Sequence, residues 1–255
     1  MPLDLEMLRT AFPGRKIVWL DTCESTMTEG ARLAREGCPS GTVVIAEEQS
    51  AGQGRYRRQW HSERESGLYV SIVLRLGLPV ESARVLSMAL GLAVGETIAR
   101  AADVRCDLRW PNDVLIGDKK CAGILVQVEG DSLIAGIGVN VNHESLPPEL
   151  EVKATSLRVA CGRPVSREML LLHLLGTVDS FARMLAEGGR EPVLKMFARN
   201  STCVSGKRVT VEQGGKLIEG VTDGLDPSGF LYLKKPDGTR ITILAGGVRP
   251  VRDAN

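Results

Sequence analysis

The 255-residue chain has few aromatic residues, almost no net charge and no long apolar run. Aromatics are 4% of residues and the formal net charge is +1. A nucleic-acid binder relies on a basic field and stacking rings, so the composition argues against that class, and against a charged membrane surface as partner. No segment reaches the roughly 18 uninterrupted apolar residues of a membrane span. The nearest approach, residues 85–99, is broken by Ser87, Gly91, Gly95, Glu96 and Thr97. The N-terminal stretch carries Asp4 and Glu6 and lacks the apolar core of a secretory signal. The histidines are His61, His143 and His173, none at metal-ligand spacing, and the six cysteines form no CxxC pair. The sequence therefore predicts no protein-only metal site, and free thiols in a reducing cytoplasm. What remains is an ordinary soluble protein, 43% hydrophobic and 25% charged. It is long enough for one large domain, alone or with a small module.

Hydrophobic periodicity divides the chain unequally. Residues 15–22 read as a strand, followed by a helix from Thr26 to about Glu36 opened by a Thr-x-x-Glu capping box. Residues 42–47 are a β-branched strand, 48–67 an aperiodic Gly-rich surface loop, and 68–76 a half-buried strand. A long helix is expected over 81–102, with Leu86, Ala89, Leu90, Ala93 and Val94 on one stripe. Residues 107–111 and 114–116 read as strand–turn–strand, and 123–128 and 133–141 as two more strands, before a second long helix over 166–187. After Asn200 only short alternating runs remain, separated by Gly214-Gly215, Asp226-Pro227-Ser228-Gly229 and Pro236-Asp237-Gly238. That pattern predicts a small antiparallel barrel of about five strands. The expected division is a catalytic domain over 1–202 and a barrel over 203–255.

Four segments carry possible chemistry. Residues 49–60, QSAGQGRYRRQW, combine freed backbone at Gly52 and Gly54 with three guanidinium groups, a combination able to fold over an anion. Taken by itself the segment reads first as a solvated surface loop; it is neither a Walker A motif nor a Rossmann fingerprint. Residues 109–123, RWPNDVLIGDKKCAG, place a cation, an indole, a carboxamide and a carboxylate together ahead of two lysines. Arg109 or Lys120 can neutralise carboxylate or phosphate, Trp60 or Trp110 can stack on a purine, and Asn112 can bond a base or ribose. Residues 136–142, GIGVNVN, suit a strand that a ligand approaches closely. Ser25-Thr26 offers two hydroxyls at a helix start, which capping alone also explains.

In this order the four segments resemble the biotin–protein ligase (biotin–[acetyl-CoA-carboxylase] ligase) family over roughly Val18 to Val251. The resemblance implies an α+β fold: a mixed sheet flanked by helices, similar to class II aminoacyl-tRNA synthetases, followed by an SH3-like barrel. It also implies ATP-dependent formation of biotinyl-5′-AMP with Mg²⁺, then transfer to a lysine of a biotin carboxyl carrier domain of acetyl-CoA carboxylase or a related carboxylase. By the same resemblance Ser25, Thr26, Gln49, Gly52, Gln53, Arg55, Lys120 and Gly123 bind biotin. Arg55, Arg58, Trp60, Asn112, Lys120 and Asn140 bind ATP, with Trp60 stacking on adenine. Lys120, Arg55 and Asp113 take the catalytic roles, Lys120 holding the biotin carboxylate against the α-phosphate; Lys119 is the neighbouring alternative. The only metal implied is the Mg²⁺ that accompanies ATP.

Two departures matter. The family loop usually reads Gly-Arg-Gly-Arg-Arg-Gly-Arg; here Gln53 stands at its first arginine and Arg57 at one of its glycines, which predicts weak retention of biotin or its adenylate. In addition, Arg109 replaces a common lysine and Met27 an asparagine. Because about 15 residues precede the first strand, the expectation is a monofunctional ligase without a winged helix-turn-helix or DNA binding. A homodimer through sheet edges and a monomer both stay open. The rivals are a lipoate–protein ligase or octanoyltransferase, and a catalytically silent biotin-binding module.

Overall fold

The computed structural model describes residues 3–148, 150 and 153–251. Its elements in chain order are α1 (Glu6–Ala11), β1 (Ile17–Cys23), α2 (Thr26–Arg35), β2 (Val43–Gln49), β3 (Gly67–Leu74), α3 (Ala83–Ala102), β4 (Asp107–Arg109), β5 (Asp113–Ile116), β6 (Lys119–Glu129) and β7 (Ser132–Asn140). Then follow α4 (Leu157–Cys161), α5 (Arg167–Gly188), α6 (Arg190–Arg199), β8 (Ser205–Gln213), β9 (Lys216–Leu225), β10 (Leu231–Lys234), β11 (Arg240–Ile243) and β12 (Val248–Pro250). Single 3₁₀ turns lie at Arg55–Arg57 and Val80–Ser82.

The first seven strands form one mixed sheet in the order β1-β2-β3-β7-β6-β5-β4, with only β1 and β2 parallel. The crossover between those two strands is α2, as parallel neighbours require. Alternation of side chains sorts the sheet onto two cores. Val43, Ile45, Val70 and Ile72 join α3 and α5 on one face, and Val44, Val73 and Ile134 meet Met27, Leu33 and Ala34 of α2 on the other. β3 is therefore buried along its whole length, and the expected half-buried strand is corrected. It is a central strand covered on both faces, so Tyr69 and Ser71 are enclosed despite their polarity.

Other corrections follow from local chemistry. The cap of α2 is Ser25, whose Oγ accepts from the Met27 N–H, so Thr26 is the first helical residue and not the cap of a capping box. β6 begins at Lys119, which puts both lysines on a strand. Three short helices, α1, α4 and α6, went unread, being too short for a clear period. α5 is punctuated at both ends: Ser166 caps the start, accepting from the Met169 N–H, and Gly189 closes the end at φ 75°. By length and composition residues 80–102 and α5 could each cross a membrane, yet most of the α3 window and half of the α5 window are buried in the protein. They are core helices: α3 packs against both α5 and the sheet, and α5 also reaches β3.

The last five strands form an antiparallel sheet in the order β11-β10-β9-β8-β12 around Val209, Val211, Leu231, Leu233, Ile243 and Val248. It docks through Trp110, buried to 2% exposure, whose Nε1–H donates to the Gly229 carbonyl at 2.9 Å. Nearby, the Arg84 guanidinium lies 3.4 Å from the centre of the Phe230 ring. Trp110 is thereby removed from the purine-stacking candidates, because its ring is buried and its N–H is committed to this junction. Trp110→Phe should lower stability by about 1–2 kcal/mol, by removing one hydrogen bond and leaving a buried carbonyl unpaired. A thermal melt unchanged from wild type would show that the junction does not depend on that bond.

Candidate active site

Two adjoining chambers open along the exposed rim of β6, β7 and the loop after β2. The smaller, about 50 Å³, is lined by Ser25, Thr26, Gln49, Gln53 and the backbone of Gly123, Gly136 and Gly138. The larger, about 640 Å³, is lined by Arg58, Asp113 and Asn140, and from the barrel by Glu212, Gln213 and residues 245–247. Gly54, Arg55, Trp60, Asn112 and Lys120 line both. Of the thirteen residues expected at the site, only Gly52 lines neither chamber. It sits behind them, where a Cβ would come within 2.7 Å of the Trp60 carbonyl.

The small chamber holds an uncharged hydrogen-bonding network beside the shared Arg55 and Lys120. The Gln49 side-chain carbonyl accepts from the Thr26 N–H at 2.8 Å and from its hydroxyl at 3.1 Å, while Gln49 Nε2 donates to Ser62 Oγ at 2.9 Å. Ser71 Oγ donates to Thr26 Oγ1 at 2.8 Å. Ser62 and Ser71 were not foreseen, since isolated serines carry no sequence signal. Gln53 donates to Thr28 Oγ1 at 3.3 Å on the exposed side.

Lys120 stands where the chambers meet. Its Nζ lies 2.6 Å from Asp113 Oδ1 and 5.2 Å from the centre of the Trp60 ring. Strand alternation decides between the two lysines: Lys120 turns toward the pocket and Lys119 is exposed. A Cβ on Gly123 would lie 2.9 Å from Lys120 Nζ, and one on Gly138 2.4 Å from the Trp60 indole. These glycines are what lets the cation and the ring lie flat on the sheet. Asn112 holds the floor, its Nδ2 donating to the Ile124 carbonyl at 2.8 Å and its Oδ1 accepting from Arg55 Nη1 at 3.0 Å. Asn140 is buried and donates to the Thr155 carbonyl at 3.1 Å. Arg109 does not line either chamber; its nearest polar contact is the Asp118 carbonyl, at 3.5 Å.

The Arg-rich loop is more ordered than an aperiodic stretch suggests. A bridge joins Gln53 to Gln59, and Tyr56 and Arg57 both take positive φ, 59° and 60°. That geometry explains why the family carries glycine where Arg57 stands: the backbone there is left-handed, a conformation that glycine adopts freely and that arginine holds only with strain. Tyr56 was missed altogether. Its hydroxyl accepts from the Gly246 N–H at 2.6 Å and from Arg55 Nη2 at 3.0 Å, linking the loop to the barrel. At the rim, burial pushes the His143 imidazole down to about 4, with the neighbouring His61 adding to the effect. Burial likewise pushes the Tyr69 phenol up, reinforced by Glu63.

A mixed sheet with an appended barrel, and two chambers that share the Arg55 and Lys120 cations, suits the class of protein that joins a small acid to a nucleotide. Comparison with known proteins narrows the class. Residues 19–143 match the model of the Biotin/lipoate A/B protein ligase family, and residues 204–248 that of the Biotin protein ligase C terminal domain. The chain is 32% identical over 262 residues to the biotin–[acetyl-CoA-carboxylase] ligase of Mycobacterium tuberculosis, covering 98% of this chain and 97% of that one. It is also 32% identical over 240 residues to the bifunctional ligase/repressor BirA of Bacillus spizizenii, covering 91% of this chain and 74% of the relative. Among solved structures, the biotin protein ligase from Aquifex aeolicus in complex with biotin and ATP superposes with a TM-score of 0.81 at 29% identity, covering 93% of this chain and 99% of that one. The chain belongs to the biotin–protein ligase family.

Proposed function

We propose that this protein activates biotin with ATP, forming biotinyl-5′-AMP and pyrophosphate, and passes the biotinyl group to a lysine of the carrier domain of acetyl-CoA carboxylase or a related carboxylase. The observation that carries the reading is Lys120, a cation that lines both chambers where a carboxylate from one and an α-phosphate from the other would meet. In the first step a biotin carboxylate oxygen bonds to the α-phosphorus and the bond to pyrophosphate breaks. Lys120 offsets the charge of two approaching anions. In the second step the carrier amine attacks the acyl carbon and AMP departs, with Asp113 Oδ1 at hand for the proton.

Ser25, Thr26 and Gln49 suit a ureido ring, which needs both donors and acceptors. The Gln49 amide is already engaged at both ends, so its part is to orient Thr26. Trp60 offers its ring to adenine, with Asn112 and Asn140 near the nucleotide and Arg55 and Arg58 over the phosphates. Asp113 and Asn112 bring oxygen donors of the kind Mg²⁺ takes, and a Mg²⁺ arriving with ATP would offset phosphate charge there. The small chamber falls well below the ~300 Å³ at which ligand pockets begin. Biotin therefore needs the chamber to widen, and a shift of the 50–60 loop that moves the Trp60 indole off Gly138 would provide the space. Six free thiols suit a cytoplasmic setting.

The test is ATP–pyrophosphate exchange with biotin, octanoate and lipoate in parallel. Biotin-dependent exchange is expected. Exchange with lipoate or octanoate alone would move the protein to the rival ligases, and biotin binding without exchange would make it a silent module. A second expectation concerns the altered loop. Gln53→Arg restores the family's cation at an exposed position, so the adenylate should dissociate about five- to tenfold more slowly, on the order of 1 kcal/mol. An unchanged off-rate would show that Gln53 does not limit retention.

A further inference from the structure

We propose that His61, Glu63 and His143 form a binding site for a borderline transition-metal cation of the zinc class. The three residues bring two imidazoles and a carboxylate together, each offering one ligand atom, and these atoms lie within 4.8 Å of one another. Glu63 Oε2 is 3.9 Å from His61 Nε2 and 4.0 Å from His143 Nε2. The two rings are 5.8 Å apart, tilted by 49°. Sequence spacing excluded such a site because His61 and His143 are remote in the chain. The fold joins them by laying the start of β3 against the end of β7, Gly67 opposite Asn140, with the Asn142 N–H donating to the Ser66 carbonyl at 2.6 Å.

The environment favours a metal over a plain hydrogen-bonded cluster. His143 is the fixed member: its side chain has no exposure, and its carbonyl accepts from Ser156 Oγ at 2.6 Å. Its Nδ1 meets no hydrogen-bond partner among the described residues. Tyr69 lies 3.5 Å from His143 Nε2 but donates its proton to the Glu63 carbonyl at 2.8 Å, which leaves the Nε2 lone pair free for a cation. The adjacent cation, Arg64, is turned away toward Asp21 and Glu48, so it does not compete for the Glu63 carboxylate. Tetrahedral zinc sets neighbouring donors about 3.3 Å apart, given bonds of about 2.0–2.2 Å. The remaining contraction falls to His61 and Glu63, whose side chains are 36% and 52% exposed and free to rotate. Their open side leaves a fourth position for water.

Two nitrogen ligands and one oxygen match zinc, cobalt or nickel, and are a poor set for Mg²⁺, which takes oxygen. Because His61 follows Trp60 directly and lines the large chamber, a bound cation would pin the segment behind the indole to the end of β7. The site lies outside the expected Mg²⁺ position and stands or falls independently of the ligase reaction.

Chelator-treated full-length protein titrated with Co²⁺ tests it through the visible absorption of four-coordinate cobalt. One equivalent should bind, without the near-ultraviolet band that a thiolate ligand produces. Glu63→Gln and His61→Ala should each weaken binding at least about tenfold, and Mg²⁺ in large excess should not compete. Both substitutions are at exposed side chains, and thermal melts in the absence of metal verify that the fold is kept. Absence of stoichiometric cobalt binding, binding unaltered in both variants, or a thiolate-type spectrum would each overturn the proposal.

Discussion

Lys120→Ala should lower biotin-dependent ATP–pyrophosphate exchange by about 10²–10³-fold, more than any other single substitution in the pocket. The size follows from position. The ammonium group touches Asp113 and Trp60 and borders both chambers, so its charge acts where two anions must approach. Ground-state binding of biotin should change less than turnover, because the two negative charges converge only in the transition state. Lys120→Arg should rescue poorly. A planar guanidinium cannot place a point charge against Gly123, where the lysine side chain already packs closely. Loss of the lysine also leaves Asp113 with its charge unopposed in a half-buried position. Asp113→Asn in the Lys120→Ala background separates that effect: if exchange recovers to near wild type, the loss came from a stranded carboxylate, and Lys120 has no direct part at the phosphate.

The sheet and the site were legible to different degrees, for different reasons. Strands β1, β2 and β7 and helices α3 and α5 announce themselves through long, regular periods and explicit punctuation such as Ser166 and Gly189. The clustering of the expected residues was legible because RWPND and the Gly/Arg loop are rare compositions: twelve of the thirteen line one chamber or the other. What escaped reading depends on tertiary contact. Tyr56 has meaning only once Gly246 of the barrel reaches it, and Trp110 looks like a stacking ring until Gly229 is found at its N–H. Ser71 is one polar residue in a strand whose second face the sequence could not show to be covered. His61 and His143 failed a spacing rule built for local motifs, which is blind to ligands brought together across a sheet.

The largest stability loss is expected at a pair outside the pocket. Arg167 and Glu47 have side-chain exposures of 4% and 0% and lie 2.8 Å apart. The arginine also reaches the Gly67 carbonyl at 3.3 Å, and Glu47 accepts from the Leu3 N–H at 2.6 Å. The pair therefore ties α5, the end of β2, the first residue of β3 and the N-terminal segment to one buried point. A buried ion pair adds little net stability over a well-packed apolar pair, because both charges give up their hydration. Removing one member is different: the other charge stays buried and loses this partner. Arg167→Met or Glu47→Leu alone should each cost about 3–5 kcal/mol, whereas the double variant should recover most of that loss. For a chain of this length the single losses correspond to melting shifts of roughly 6–20 °C. The contrast between single and double variants is the diagnostic. If the double variant is as unstable as the two singles added together, the interaction is not a mutually compensating charge pair, and the anchoring at Gly67 and Leu3 must come from packing alone. If the double variant recovers, the start of β3, which is hydrogen-bonded opposite Asn140 beside the large chamber, is held by the pairing of those two charges.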